Sequence, residues 1–183
     1  YMEDTETFSV KYNEFTKFPN IFDAGSLYGI VSVDFSYNHI SEFPEDFRGI
    51  YVQTLTIANN PELTRYPVEL AESNSIIMNI NFRGCNISEI PKGSFEYENA
   101  VQLASFDFSY NDLDDLPREM HAGNMPYLYG VELSYNRFRE FPWEPLDSQY
   151  LTVFAIRGQR DENGERCLSD WPEGIYEHRG LRG

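Results

Sequence analysis

One pattern of apolar and polar positions recurs along the chain. The segment Val33-Asp34-Phe35-Ser36-Tyr37-Asn38-His39-Ile40-Ser41-Glu42-Phe43-Pro44 returns as Phe106-Asp107-Phe108-Ser109-Tyr110-Asn111-Asp112-Leu113-Asp114-Asp115-Leu116-Pro117. It returns again as Val131-Glu132-Leu133-Ser134-Tyr135-Asn136-Arg137-Phe138-Arg139-Glu140-Phe141-Pro142. The shared order is apolar-x-apolar-x-x-Asn-x-apolar-x-x-apolar-Pro. Looser copies fill the intervals. The first is Phe8, Val10, Asn13, Phe15, Phe18, Pro19. Leu55, Ile57, Asn60, Leu63, Tyr66, Pro67 carries one residue inserted after the Asn, and Ile80, Phe82, Cys85, Ile87, Ile90, Pro91 has Cys in the Asn slot. The last runs Phe154, Ile156, Gln159 and, after an insertion, Leu168, Trp171, Pro172. The slot positions are 13, 38, 60, 85, 111, 136 and 159, at steps of 22 to 26 residues.

Each feature has a physical cause. The apolar-x-apolar pair predicts a short strand that buries both side chains on one face. One unit cannot bury that face alone, so successive units must stack. The Asn slot falls where the chain turns sharply, and a buried amide there can bond backbone groups that the turn leaves unpaired. Cys85 fits the slot because it is small and tolerates burial. The Pro ends each unit and favours an extended preceding residue. Between units, Glu69-Leu70-Ala71-Glu72 and Arg118-Glu119-Met120 predict single helical turns, too short for full helices.

On these motifs the chain resembles the leucine-rich-repeat family over nearly its whole length. The resemblance implies an α/β-type solenoid: a right-handed, curved horseshoe segment. A parallel sheet lines its concave side, and loops, turns and short 3-10 or α segments form the convex side. Residues 1–183 then form a single domain of about seven repeats. The Phe- and Tyr-rich units ending in Phe-Pro, Ile-Pro or Leu-Pro look most like secreted or surface repeat proteins of gut Bacteroidetes. The run Arg157 to Pro172 resembles a segment in some of those lipoproteins. That likeness implies an extracellular or cell-surface location, although the chain shows no targeting signal. Leu181 would open a further repeat that is not completed and no polar capping unit is evident, so the natural protein is expected to continue past Gly183.

Composition narrows the partners. The chain holds 14 Phe and 13 Tyr, and its net charge is -16. Such a field repels a phosphate backbone and an anionic membrane surface, so neither nucleic acid nor membrane is an expected partner. No apolar run approaches the ~18 residues of a membrane span. The charge is uneven: residues 157–183 carry 5 Arg and 6 acids.

Strand alternation predicts which side chains reach the concave surface. One column reads Ser9, Asp34, Thr56, Asn81, Asp107, Glu132, Ala155. A second reads Thr7, Ser32, Thr54, Asn79, Ser105, Gly130, Val153, and a third Lys11, Ser36, Ala58, Arg83, Ser109, Ser134, Arg157. Nearly all are small or polar, which suits binding through hydrogen bonds and charge. A merely solvated sheet face fits the same pattern. Tyr12, Tyr37, Tyr110 and Tyr135 share the position before the slot and offer an amphipathic rim for a protein or a sugar, or simple edge packing. Asn59, Gly84 and Gly158 interrupt that ladder. The residues expected to meet a partner are Asp34, Asn81, Arg83, Asp107, Glu132, Tyr37, Tyr110 and Tyr135.

Catalysis finds little support. Asp107 and Glu132 fall on adjacent strands, roughly 5 Å apart at the backbone. That spacing suits a retaining glycosidase or a calcium ion. An open sheet face offers no pocket to desolvate an acid, and Arg83 offers an ion-pair partner. His39, His121 and His178 sit in different repeats and assemble neither a zinc set nor a catalytic triad. No cofactor or metal is expected. Cys85 and Cys167 lie three repeats apart, too far for a disulfide, and are expected to be free and buried. The insertion Arg160 to Arg166 contains Asn163-Gly164, a two-residue hairpin signal, and is either a contact loop or a tolerated surface loop.

The expected function is therefore a non-enzymatic, monomeric binding module. It presents a curved polar and acidic surface to a protein or glycan. The alternatives are substrate-recognition repeats of an enzyme whose catalytic domain lies outside this chain, and a structural surface spacer.

Overall fold

The computed structural model describes residues 6–20, 29–47, 49–72 and 75–169. Trp171, Pro172, His178 and the segment 173–183 lie outside the described residues. Seven strands form one sheet, in sequence order and all parallel: β1 (Thr7–Ser9), β2 (Ser32–Asp34), β3 (Tyr51–Thr56), β4 (Ile76–Asn81), β5 (Ser105–Asp107), β6 (Gly130–Glu132) and β7 (Val153–Ala155). The first apolar position of every unit is in register: Phe8 pairs Val33, then Leu55, Ile80, Phe106, Val131 and Phe154 follow.

The returns are short. They hold α1 (Glu69–Glu72), α2 (Tyr97–Ala100) and a 3-10 turn at Glu144–Asp147. Residues 69–72 thus form the expected helical turn. Arg118 to Met120 does not: Met120 N–H bonds Pro117 O in an isolated turn.

Inside the coil a continuous core runs from Phe18 to Phe138. Aromatic rings stack through it, with Phe18 and Phe43 at 4.4 Å and Phe82 and Phe108 at 5.7 Å. Such pairs add to the burial of area that drives stacking.

The slot residues form a second spine. Asn38, Asn60, Asn111, Asn136 and Gln159 are buried. Each donates to a carbonyl of its own unit and to one of the preceding unit. Asn111 Nδ2 reaches Phe108 O at 3.0 Å and Phe82 O at 2.9 Å. Each side-chain oxygen accepts a backbone N–H from the preceding return, as Asn38 from Phe15, Asn60 from Ile40 and Asn111 from Ile87. Gln159 does the same with Phe138 N–H. This is the satisfaction of turn backbone expected of the slot.

Candidate binding face

The exposed side of the sheet is built from three kinds of position. The centre of each short strand is apolar and faces the core, so its neighbours face outward. Asp34, Asn81, Asp107 and Glu132 do lie side by side there. Each spends one oxygen on the backbone two residues on: Asp34 Oδ1 accepts Ser36 N–H, Asn81 Oδ1 Arg83 N–H, Asp107 Oδ1 Ser109 N–H and Glu132 Oε1 Ser134 N–H. These side chains cap the strand ends, and only their second polar atom is left for a guest.

The third column departs from expectation. Ser36, Ala58, Ser109 and Ser134 are buried. Ser36 and Ser109 donate their hydroxyls to Asp34 and Asp107 and tuck beneath them. Only the long chains Lys11, Arg83 and Arg157 emerge. Lys11 pairs with Asp34 at 3.4 Å, and Arg157 faces Glu132 at 3.9 Å. Arg83 does not pair with Asp107. Its guanidinium donates to Ser109 Oγ at 2.9 Å and lies over the Tyr110 ring at 4.1 Å from the centroid. Across the three columns Asp34, Asp107 and Glu132 are balanced by Lys11, Arg83 and Arg157. The acidic excess therefore lies elsewhere on the molecule.

Tyr12, Tyr37, Tyr110 and Tyr135 all have φ between 57° and 59°, as does Asn59. The slot forces a left-handed turn one residue before the Asn, which is why Gly84 and Gly158 also stand there. Tyr12 stacks on Tyr37 at 4.5 Å, and Tyr110 on Tyr135 at 4.3 Å. The glycines do not simply break the ladder. Tyr135 covers Gly158, whose added Cβ would sit 2.7 Å from the ring. Arg83, beside Gly84, caps the open face of Tyr110.

Simple alternation misses a further column. At four places along the sheet two successive N–H groups converge on one carbonyl: Val31 and Ser32 on Glu6 O, Gln53 and Thr54 on Val31 O, Tyr129 and Gly130 on Ala104 O, Thr152 and Val153 on Tyr129 O. This is the signature of a bulge, and it exposes two neighbouring side chains in succession. Tyr129 gains exposure this way, and Met78, which the β3–β4 register skips, is exposed too. Two residues earlier in each unit, Tyr51, Ile76, Tyr127 and Tyr150 are exposed too. No two-residue period marks them in the sequence. The polar floor thus has an aromatic rail on both sides.

Between the rails a hollow of about 320 Å³ opens over Gly130, beside Asn79, Ser105, Asp107, Tyr129, Glu132 and Val153. A larger hollow of about 490 Å³ lies on the return side between Glu89, Lys92, Asp115 and Arg118. It mixes both charge signs. Asp107 and Glu132 are register partners, as expected. Among the described residues no three His, Cys, Asp or Glu groups come together as a metal cage. Among the same residues no helix is long and apolar enough to cross a membrane.

Both thiols are free, with Cys85 buried and Cys167 only half-buried against expectation. Burial pushes the Cys85 thiol up to about 12, and its Sγ donates to Ile57 O at 3.2 Å. The insertion closes differently from the two-residue hairpin. Asp161 N–H bonds Glu165 O, Gly164 N–H bonds Asp161 O, and Gly164 alone of the loop takes a positive φ of 80°. That is a three-residue loop with a glycine bulge.

No family model matches the chain. The structure is similar to a leucine-rich-repeat protein from Bacteroides eggerthii, with a TM-score of 0.89 and 39 % identity over 98 % of this chain. A leucine-rich-repeat protein from Bacteroides thetaiotaomicron matches with a TM-score of 0.87 and 35 % identity over 98 % of this chain. The chain spans 31 % and 23 % of the lengths of those two proteins. A leucine-rich-repeat protein of Leptospira interrogans shares the fold alone, with a TM-score of 0.53 and 16 % identity over 89 % of this chain and 44 % of that one. The seven-strand parallel sheet, the amide spine and these relatives agree: the chain belongs to the leucine-rich-repeat family.

Proposed function

We propose that the chain is a non-enzymatic recognition module that docks a protein partner across the exposed face of its sheet. One observation carries this reading. Of the 12 large apolar side chains that are exposed among the described residues, all but Phe15 lie on the two rails or the floor between them. Apolar surface gathered around a polar floor is the composition of a docking surface. A stacked sheet is rigid before binding, so little freedom is lost on docking. The net charge of -16 adds long-range attraction for a basic partner, weakened by salt. A glycan is a second ligand class compatible with exposed Tyr, but the breadth of the two-railed face favours a protein.

The test is capture from the natural environment with three baits. These are the native chain, a floor variant Thr56→Arg with Ser105→Arg, and a return-side variant Lys92→Glu. The partner binds the native and return-side baits and is lost from the floor variant. Retention by the floor variant with loss at Lys92 contradicts the reading. The location that goes with this function is outside the cell or on its surface. Protease treatment of intact cells that left the chain untouched speaks against it.

A further inference from the structure

We infer that the hollow over Gly130 receives the side chain of a lysine or arginine carried by the partner. This rests on the sheet-face reading above and gives that face its chemistry. Gly130 leaves the floor bare between Ser105 and Val153, its register neighbours on either side. Tyr129 and Val153 are about half exposed and provide apolar walls. Asp107 and Glu132 line the hollow, and no basic side chain does.

The proton inventory favours a cation. Ser105 donates its hydroxyl proton to Asn79 Oδ1 at 2.7 Å, and the Tyr129 hydroxyl is directed at the same atom at 3.4 Å. Both hydroxyl oxygens are left as acceptors. Asp107 commits Oδ1 to the N–H and hydroxyl of Ser109, which leaves its other oxygen for a guest. Asp34 has Lys11, and Glu132 has Arg157 at the limit of contact, whereas Asp107 has no cation within 4.0 Å among the described residues. A guanidinium or ammonium brings only donors and a full positive charge to such a site. Its methylene stem covers Tyr129 and Val153 while the head reaches the carboxylates. A neutral polyol finds the Thr54 and Thr56 hydroxyls and N–H groups of Asn79 and Asn81, but it brings no charge to balance Asp107 and Glu132.

The probes are acetyl-Gly-Arg-Gly-amide and acetyl-Gly-Lys-Gly-amide, titrated into the isotope-labelled full chain and followed by NMR. The Gly130 amide and the Asn79 side-chain amide are the reporters. Acetyl-Gly-norleucine-Gly-amide is the uncharged control, and methyl glucoside the polyol control. Both cationic peptides move both reporters, and the two controls do not. Asp107→Asn weakens the cationic peptides about fivefold, the effect of one partly exposed charge pair. That variant keeps the strand-end cap, because Asn81 already caps β4 with an amide oxygen. Gly130→Val fills the hollow and abolishes the shifts; should it fail to fold, Tyr129→Ala, which removes a wall, lowers affinity in its place. Norleucine acting as strongly as arginine, an unchanged Asp107→Asn variant, or a response to methyl glucoside alone overturns the inference. If the captured partner is lost on the Thr56→Arg, Ser105→Arg bait yet binds Asp107→Asn normally, the sheet-face reading stands and this one falls.

Discussion

The side-chain amide of Asn136 donates to the carbonyl oxygen of Phe108, one repeat earlier, at 2.8 Å. The same carbonyl takes an N–H from Asn111 at 3.0 Å. Leu133 O is shared likewise by Asn136 and Gln159, and Phe35 O by Asn38 and Asn60. Each carbonyl thus ties two successive units together. Asn136 also accepts Leu113 N–H at 3.0 Å. Asn136→Ala strands that buried N–H and thins two shared carbonyls, a loss of about 2–3 kcal/mol. Asn13 stands at the exposed end of the spine and bonds only its own unit. Asn13→Ala should lose less than about 1 kcal/mol. Urea unfolding of both variants checks the contrast, and equal losses contradict a ladder.

Restoring the common residue at position 85 should harm the protein. In the other buried slots the side-chain oxygen accepts an N–H from the preceding return. Opposite Cys85 that N–H belongs to Leu63, which instead bonds Asn60 O across the inserted Pro61 turn, at 3.0 Å. The side-chain oxygen introduced by Cys85→Asn would be buried without the return N–H that its counterparts accept. The substitution is therefore expected to destabilise by about 1–3 kcal/mol, and Cys85→Ala by less. A Cys85→Asn variant that melts above the native chain contradicts this.

Gly158 stands at φ 66° beneath Tyr135. Gly158→Ala combines a left-handed non-glycine residue with a Cβ 2.7 Å from the ring, and should lose about 1–3 kcal/mol. Tyr37→Asn should be mild in comparison, since Asn59 already holds the same φ of 57° in this chain. Thermal unfolding of the pair separates turn strain from ring packing.

Alkali should weaken the fold. The Cys85 thiol ionises near 9 when unfolded and is pushed up to about 12 by burial when folded. The unfolded chain then holds fewer protons, so stability is complete below pH 9 and declines as pH rises toward 12. Burial pushes the Tyr66 hydroxyl upward too, with the same sign. Urea midpoints should fall between pH 9 and about 12, and less steeply in Cys85→Ala, where Tyr66 still acts. A flat profile in the native chain contradicts burial of both groups.

The repeat made the fold legible, because strand, slot and proline each impose a separate chemical need at a fixed offset. Phe8, Val33, Leu55, Ile80, Phe106, Val131 and Phe154 could be aligned by eye, and they pair in that register. The site was legible only in part. Asp34, Asn81, Asp107 and Glu132 share a column as alternation requires. Tyr129 was hidden because a bulge at the strand start cancels the two-residue period there. Ser36 and Ser109 read as surface groups, yet their short hydroxyls fold back on Asp34 and Asp107. Arg83 turned to a ring because Gly84 leaves Tyr110 without a stacking neighbour on that side. The link between Pro61 and Cys85 needed both turns in view at once.

Hydroxyl-radical footprinting of the chain with its captured partner tests the binding-face account most directly. Met78, Tyr110, Tyr129 and Tyr135 are reactive side chains on the floor and rails, while His121 and Trp143 report the returns. The account predicts that oxidation of the first four drops on binding and that His121 and Trp143 keep their free rates. Shielding of His121 and Trp143, with Met78 and Tyr129 as reactive as before, would place the partner on the opposite side of the molecule.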